Sequence, residues 1–186
     1  MKNRIILIVA LVLIIGGFVL WRSGVFTPAP SYDLTLVEGD SVTSWDFTSA
    51  YTDNAELKAK AQTEIKRLTK LIGSGEYSDY VLYVSIANQY DLMGDGANEL
   101  SYLKHALALD ATSTGLAWNN VGQLFAHVGA YASAREALER AVEVQPVEQY
   151  HAALLDFLKQ HYPSDTEAIT AEEQALQSAQ QGSHAF

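Results

Sequence analysis

The chain has 186 residues, enough for one folded domain, and no cysteine, which excludes disulfides, thiolate metal sites, cysteine nucleophiles and lipid-modified cysteine. Its formal charge is −10, and once Lys2, Arg4 and Arg22 are set aside, nine Lys and Arg face 22 Asp and Glu. Such a body repels phosphate backbones and anionic lipid surfaces at long range, so nucleic acid is a poor candidate partner.

The first element is an uncharged run from Ile5 to Trp21, preceded by Lys2 and Arg4 and closed by Arg22. At ~1.5 Å per residue it spans about 25 Å, and snorkelling of Arg4 and Arg22 brings it to the roughly 30 Å of a hydrocarbon core. Residues 1–22 are therefore expected to form a cytoplasmic tip and a transmembrane anchor helix. A cleaved signal peptide shares the basic start but has a shorter apolar stretch and a small-x-small exit, whereas here Val25-Phe26-Thr27-Pro28-Ala29-Pro30 follows. Basic residues before the run, against Asp33, Glu38 and Asp40 after it, predict a cytoplasmic N-terminus and an extracytoplasmic C-terminal domain.

Residues 23–52 read as an extended linker. Tyr32, Leu34 and Leu36 alternate with polar residues, Glu38-Gly39-Asp40 can turn, and Val42, Trp45 and Phe47 follow. Two outcomes fit this pattern, a short hairpin or an irregular strap that buries Trp45 and Phe47 against the remainder.

From residue 53 the period becomes that of helices, and residues 53–186 are predicted to be all-α. Asp53 with Glu56 has the form of a capping box, Leu57, Ala61, Ile65, Leu68 and Ile72 trace one face, and Gly73 follows Lys70 as a stop, giving a helix over 53–72. Residues 83–111 and 118–146 then match at a constant offset of 35: Tyr83 with Trp118, Ile86 with Val121, Ala87 with Gly122, Tyr90 with Phe125, Gly94 with Gly129, Leu103 with Leu138, and Ala106 with Ala141. In the second copy Trp118, Val121, Gly122 and Phe125 share one helical face, and the small Gly122 and Ala134 let paired helices approach closely. Beyond Pro146, Tyr150, Leu154 and Phe157 mark a helix over about 147–161. Ser164 with Glu167 has the form of a second capping box opening a helix over about 165–181. This last pair reads as a degenerate or capping unit.

The second copy resembles the tetratricopeptide family in Trp118, Val121-Gly122, Phe125, Gly129, Tyr131, Ala134, Leu138, Ala141 and Pro146. The first copy departs from that pattern at Gly96, Glu99 and Ala111, and the offset of 35 adds one residue to the family's usual period, absorbed within Thr112–Gly115. The resemblance implies a right-handed array of antiparallel helical hairpins, with repeats over about 80–112 and 115–147. It also implies a concave groove where the first helices of each hairpin bind peptides. Carried over residue by residue, the groove positions are Val84, Asn88 and Asp91 in the first copy and Asn119, Gln123 and His127 in the second. Asn88 and Asn120 coincide with two asparagines of the family's clamp for chaperone tails. The cations that would grip a terminal carboxylate are absent, with Val84 at one such position, so acidic C-termini are disfavoured.

No catalytic constellation stands out. His105, His127, His151, His161 and His184 form no ligand spacing, Gly73-Ser74-Gly75 lacks the lysine of a phosphate loop, no GxSxG occurs, and the neighbours Glu172 and Glu173 read as a solvated face. No metal or cofactor is expected. The function expected is that of a membrane-anchored scaffold or assembly factor, without enzymatic activity, that holds a protein partner or peptide segment. The alternative is a structural subunit of an envelope or surface assembly, forming homo-oligomers through its repeats, for which Tyr77 and Tyr80 are candidate exposed aromatics.

Overall fold

The computed structural model describes residues 31–183, with side chains described to residue 181; the expected anchor over 1–22 lies outside them. Among the described residues no helix is long and apolar enough to cross a membrane. Seven helices and no strands follow one another among the described residues: α1 (Ala55–Thr69), α2 (Asp79–Met93), α3 (Gly96–Leu109), α4 (Leu116–His127), α5 (Tyr131–Val144), α6 (Glu148–His161) and α7 (Thr166–Ser183). The pairs α2–α3, α4–α5 and α6–α7 are hairpins with short turns, each packed on its neighbours, and α1 packs on α2.

Local chemistry explains the helix ends. The α1 cap is Asn54, whose Oδ1 accepts the Leu57 N–H at 3.0 Å, so the capping position lies one residue beyond the expected Asp53. A similar shift occurs at α7, where the Oδ1 of Asp165, rather than the Ser164 hydroxyl, accepts the Ala168 N–H at 3.2 Å. Helices α2 and α4 end alike. Gly94 and Gly129 sit at φ +76° and +82°, with the next residue's N–H reaching back five residues, from Asp95 to Tyr90 and from Ala130 to Phe125, at 3.0 and 2.8 Å. Only glycine takes that left-handed conformation without steric cost, and it closes the last helical turn.

The main core runs through all three hairpins and includes Tyr83, Leu103, Trp118, Phe125, Leu138, Tyr150 and Phe157. A second cluster of Ile65, Leu68, Leu82 and Ile86 joins α1 to α2. The first helix of each hairpin contributes two aromatics seven residues apart: Tyr83 and Tyr90, Trp118 and Phe125, Tyr150 and Phe157. The third hairpin therefore repeats the second at an offset of 32. Its second helix, α7, fully buries none of its described side chains, as expected of a degenerate or capping unit. At Gly122 the helices touch closely, and an added Cβ would lie 2.6 Å from Leu138 Cγ.

Residues 31–52 form the strap and not a hairpin. Exposure alternates residue by residue from Ser31 to Leu36, as it does along an extended chain half-buried on one side. Tyr32 meets Trp118 edge-on at 5.5 Å, and Trp45 lies 6.4 Å from Phe125. After the turn at Glu38-Gly39, the Asp40 carboxylate accepts hydrogen bonds from the Ser133 N–H and hydroxyl, each at 2.7 Å, and from the Ala132 N–H at 3.4 Å. These are orphan donors at the start of α5, where Ala130 has no capping side chain. Burial works to raise the Asp40 pKa, but the three hydrogen bonds outweigh it and hold the carboxyl below its ordinary value. The strap ends by gripping the α2–α3 turn: Phe47 N–H donates to Gly94 O at 3.0 Å, Gly96 N–H to Trp45 O at 2.9 Å, and Tyr51 N–H to Leu92 O at 2.8 Å.

Two surface expectations change. Tyr80 is half-buried, and its hydroxyl accepts the Thr114 hydroxyl at 2.6 Å and the Ala117 N–H at 3.1 Å; Tyr77 remains exposed. Glu172 and Glu173 are not a solvated pair. Glu172 Oε1 lies 2.5 Å from Nδ1 of the buried His151, and Glu173 pairs with Lys159 at 2.8 Å, so both carboxylates tie α7 to α6.

Candidate functional site

The candidate site is built on the first helices of the hairpins. Of the six positions expected to line a groove, Val84 and Asn119 are each 3% exposed and belong to the interior. Val84 packs in the main core, and Asn119 Oδ1 has no hydrogen-bond partner among the described residues. The position that faces outward is the next one, Asn120, whose Nδ2 donates to Asn88 Oδ1 at 2.8 Å and links α4 to α2. One residue turns a helix by about 100°, which is the difference between core and groove.

Asp91 and His127 do come together. Their closest oxygen and nitrogen are 3.7 Å apart, with both side chains partly open to solvent. Phe47 of the strap packs at a tilt of 34° against the His127 ring, centroids 4.7 Å apart. Burial raises the Asp91 pKa, and attraction to His127 opposes the rise.

Gln123 and His127 also line an open cleft of about 440 Å³ on the side of α4 toward α6. Its other wall is α6, which supplies Asp156, Phe157, Gln160 and His161. The sequence reading missed the α6 residues because it assigned no groove position beyond the second copy. The signal was present, since Asp156 and Gln160 lie one helical turn apart on the solvent side of a helix whose core face is marked by Tyr150 and Phe157. Amides can both donate and accept, which suits them to an extended peptide backbone, while Asp156 and the imidazoles add charge and ring surface.

Beneath Asp91 lies the most unusual group of the molecule. Glu99 is 3% exposed, and its Oε2 has no hydrogen-bond partner among the described residues. Burial, then the nearby Asp91 and Asp95, push its pKa up to about 9, so it is protonated at neutral pH. In the second hairpin the matching residue is Ala134. Among the described residues no group of three or more His, Asp or Glu is arranged to hold a metal ion. No family model matches the chain, and no curated protein matches it significantly.

Proposed function

We propose that this chain is a membrane-anchored protein of the tetratricopeptide type that acts as a scaffold or assembly factor and grips a segment of a partner protein in the groove between α4 and α6. In this reading residues 5–21 span the membrane, the N-terminus is cytoplasmic, and the hairpins form a right-handed array outside the cytoplasm. The observation that carries the reading is the open cleft in which Gln123 and His127 of one hairpin face Asp156 and Gln160 of the next. Polar groups on successive first helices offer a row of donors and acceptors to an extended backbone, and Phe157 offers apolar surface to one side chain. The aligned copies and the shared glycine turns support the family reading.

Photo-crosslinking in native membranes tests this. A photoreactive side chain placed at Gln123 or Gln160 of the full-length chain should capture a discrete partner protein, while the same group at exposed Ala59 on α1 should not. Equal labelling at all three positions, or none at Gln123 and Gln160, would sink the proposal.

A further inference from the structure

A second cleft lies on the other side of α4. At about 100° per residue, Trp118 and Phe125 point roughly opposite to Gln123 and His127. They form the floor of an open cleft of about 630 Å³ whose walls are the strap and α5. Tyr32, Asp33, Leu34 and Thr35 all border it. Alternate residues of an extended chain point to opposite faces, so side chains of both parities meet one cleft only where the edge of the backbone forms its wall.

The hydrogen bonds show which edge this is. Tyr32 N–H donates to Lys104 O on α3 at 2.9 Å, and Val37 N–H donates to Ser133 Oγ on α5 at 2.9 Å. Successive N–H groups of an extended chain alternate sides, so Tyr32 faces α3, and Asp33, Thr35 and Val37 face α5. Val37 is satisfied by Ser133 and closes one end of the cleft. The N–H groups of Asp33 and Thr35 have no partner among the described residues. They form a short strand edge facing open space. The opposite wall, on α5, carries Glu136, Glu139 and Glu143, of which Glu139 pairs with Arg135 at 2.7 Å and Glu143 with Arg140 at 2.5 Å, leaving Glu136 and the strap's own Asp33 as the carboxylates without an ion pair among the described residues.

We propose that this cleft binds an extended segment of a partner protein that adds as a strand to the edge at Asp33 and Thr35, with Lys or Arg at alternate positions facing the carboxylates of α5. Backbone pairing supplies the affinity of such a mode, and the alternate side chains supply its selectivity. Small apolar residues of the segment pack on Ala137 and on the margins of Trp118 and Phe125. This surface is separate from the groove between α4 and α6 and does not depend on it.

The test uses the full-length chain in detergent and a pool of synthetic decapeptides with Lys or Arg alternating with apolar residues, a Glu-substituted pool, and an N-methylated version unable to pair as a strand. The basic pool should bind and slow amide hydrogen exchange at Asp33 and Thr35. The Glu and N-methylated pools should not. Glu136→Gln with Glu143→Gln, both exposed and outside the core, should weaken binding about fivefold to tenfold at low salt. Gln123→Ala with Gln160→Ala should leave it unchanged while weakening any partner of the α4–α6 groove, which separates this proposal from the functional reading above. Binding that survives N-methylation, or no binding at millimolar peptide, overturns it. So does protection at Asp33 and Thr35 before peptide is added, because a second copy (if dilution removes the protection) or the chain's own segment (if it does not) then occupies the cleft.

Discussion

Hairpins α2–α3 and α4–α5 share their turn geometry and their aromatic spacing but reach it by different means. In the second, Gly122 and Ala134 let the two helices meet closely, so that a Cβ at Gly122 would lie 2.6 Å from Leu138 Cγ. In the first, Ala87 and Glu99 take those places, and a buried carboxyl occupies the contact. The starts of the second helices differ in the same way. Asp95 caps α3 from the adjacent position, accepting the Asn98 N–H at 3.1 Å, whereas α5 depends on Asp40 from the strap. A repeat is thus a geometry that several local chemistries can satisfy, and the strap belongs to the domain as much as any helix does.

The turn glycines separate the hairpins most sharply. Gly94 and Gly129 have nearly the same left-handed conformation, but a Cβ at Gly129 meets nothing within 4 Å, and at Gly94 it would lie 2.0 Å from the Phe47 carbonyl oxygen. Gly129→Ala should cost only the conformational penalty, about 1–2 kcal/mol. Gly94→Ala adds a backbone clash that the strap relieves only by leaving, so its cost should reach about 3–4 kcal/mol. Denaturant titration of the two variants decides the matter. Equal losses would show that the strap does not hold the first turn.

Glu99 gives the next largest effect, and its sign depends on pH. The unfolded chain releases this proton near the ordinary value of 4.5, while the folded chain keeps it up to about 9, so folding takes up a proton in between. Stability therefore falls as pH rises from about 4.5 to 9, by roughly 1.4 kcal/mol per unit from this group alone. The raised pKa of Asp91 adds a smaller slope of the same sign. Glu99→Gln keeps the shape and removes the titration. It should stabilise the protein by roughly 2–4 kcal/mol at pH 8 and change little at pH 5, as read by urea unfolding. A uniform change at both pH values would mean that Glu99 is ionised in the folded chain.

The sequence carried the helices well, because apolar residues at i, i+3, i+4 and i+7 recur wherever a helix packs on one side. It carried the second repeat for the same reason. The aromatic spacing that α6 shares with α4 escaped notice since Tyr150 and Phe157 follow Trp118 and Phe125 at 32 positions, not 35, and a fixed-offset comparison passes over them. Of the six positions expected to line a groove, Asn88, Asp91, Gln123 and His127 reach the surface, whereas the burial of Val84 and Asn119 depends on which neighbouring helix covers each face. Glu99 was visible only as a misfit where a small residue was expected. What local pattern cannot contain is contact at long separation, and the pairing of Asp40 with Ser133, 93 residues on, is such a case.

That pairing gives the smallest predicted effect and the most selective one. Asp40→Ala removes the cap of α5 and should cost about 1–2 kcal/mol, much as a lost neighbouring cap does. Asp95→Ala at α3 is the matched control, since it removes a cap made entirely within the turn. The global losses should be similar, but the local consequences should not. Without Asp40 the strap keeps only Val37 as a hydrogen-bonded tie to α5 among the described residues, so amide exchange at Val37, whose N–H donates to Ser133, should quicken; with Asp95 removed it should not. The pH dependence supplies a second reading. The Asp40 pKa is lower in the folded chain than its ordinary 3.8, so its contribution is complete above that value and is lost as pH falls through the folded one. The original chain and the Asp40→Ala variant should therefore converge in stability in strong acid and separate above about pH 4. Parallel curves across that range would show that α5 is capped by something other than the Asp40 carboxylate, and that the strap is held by its other hydrogen bonds and its aromatic contacts.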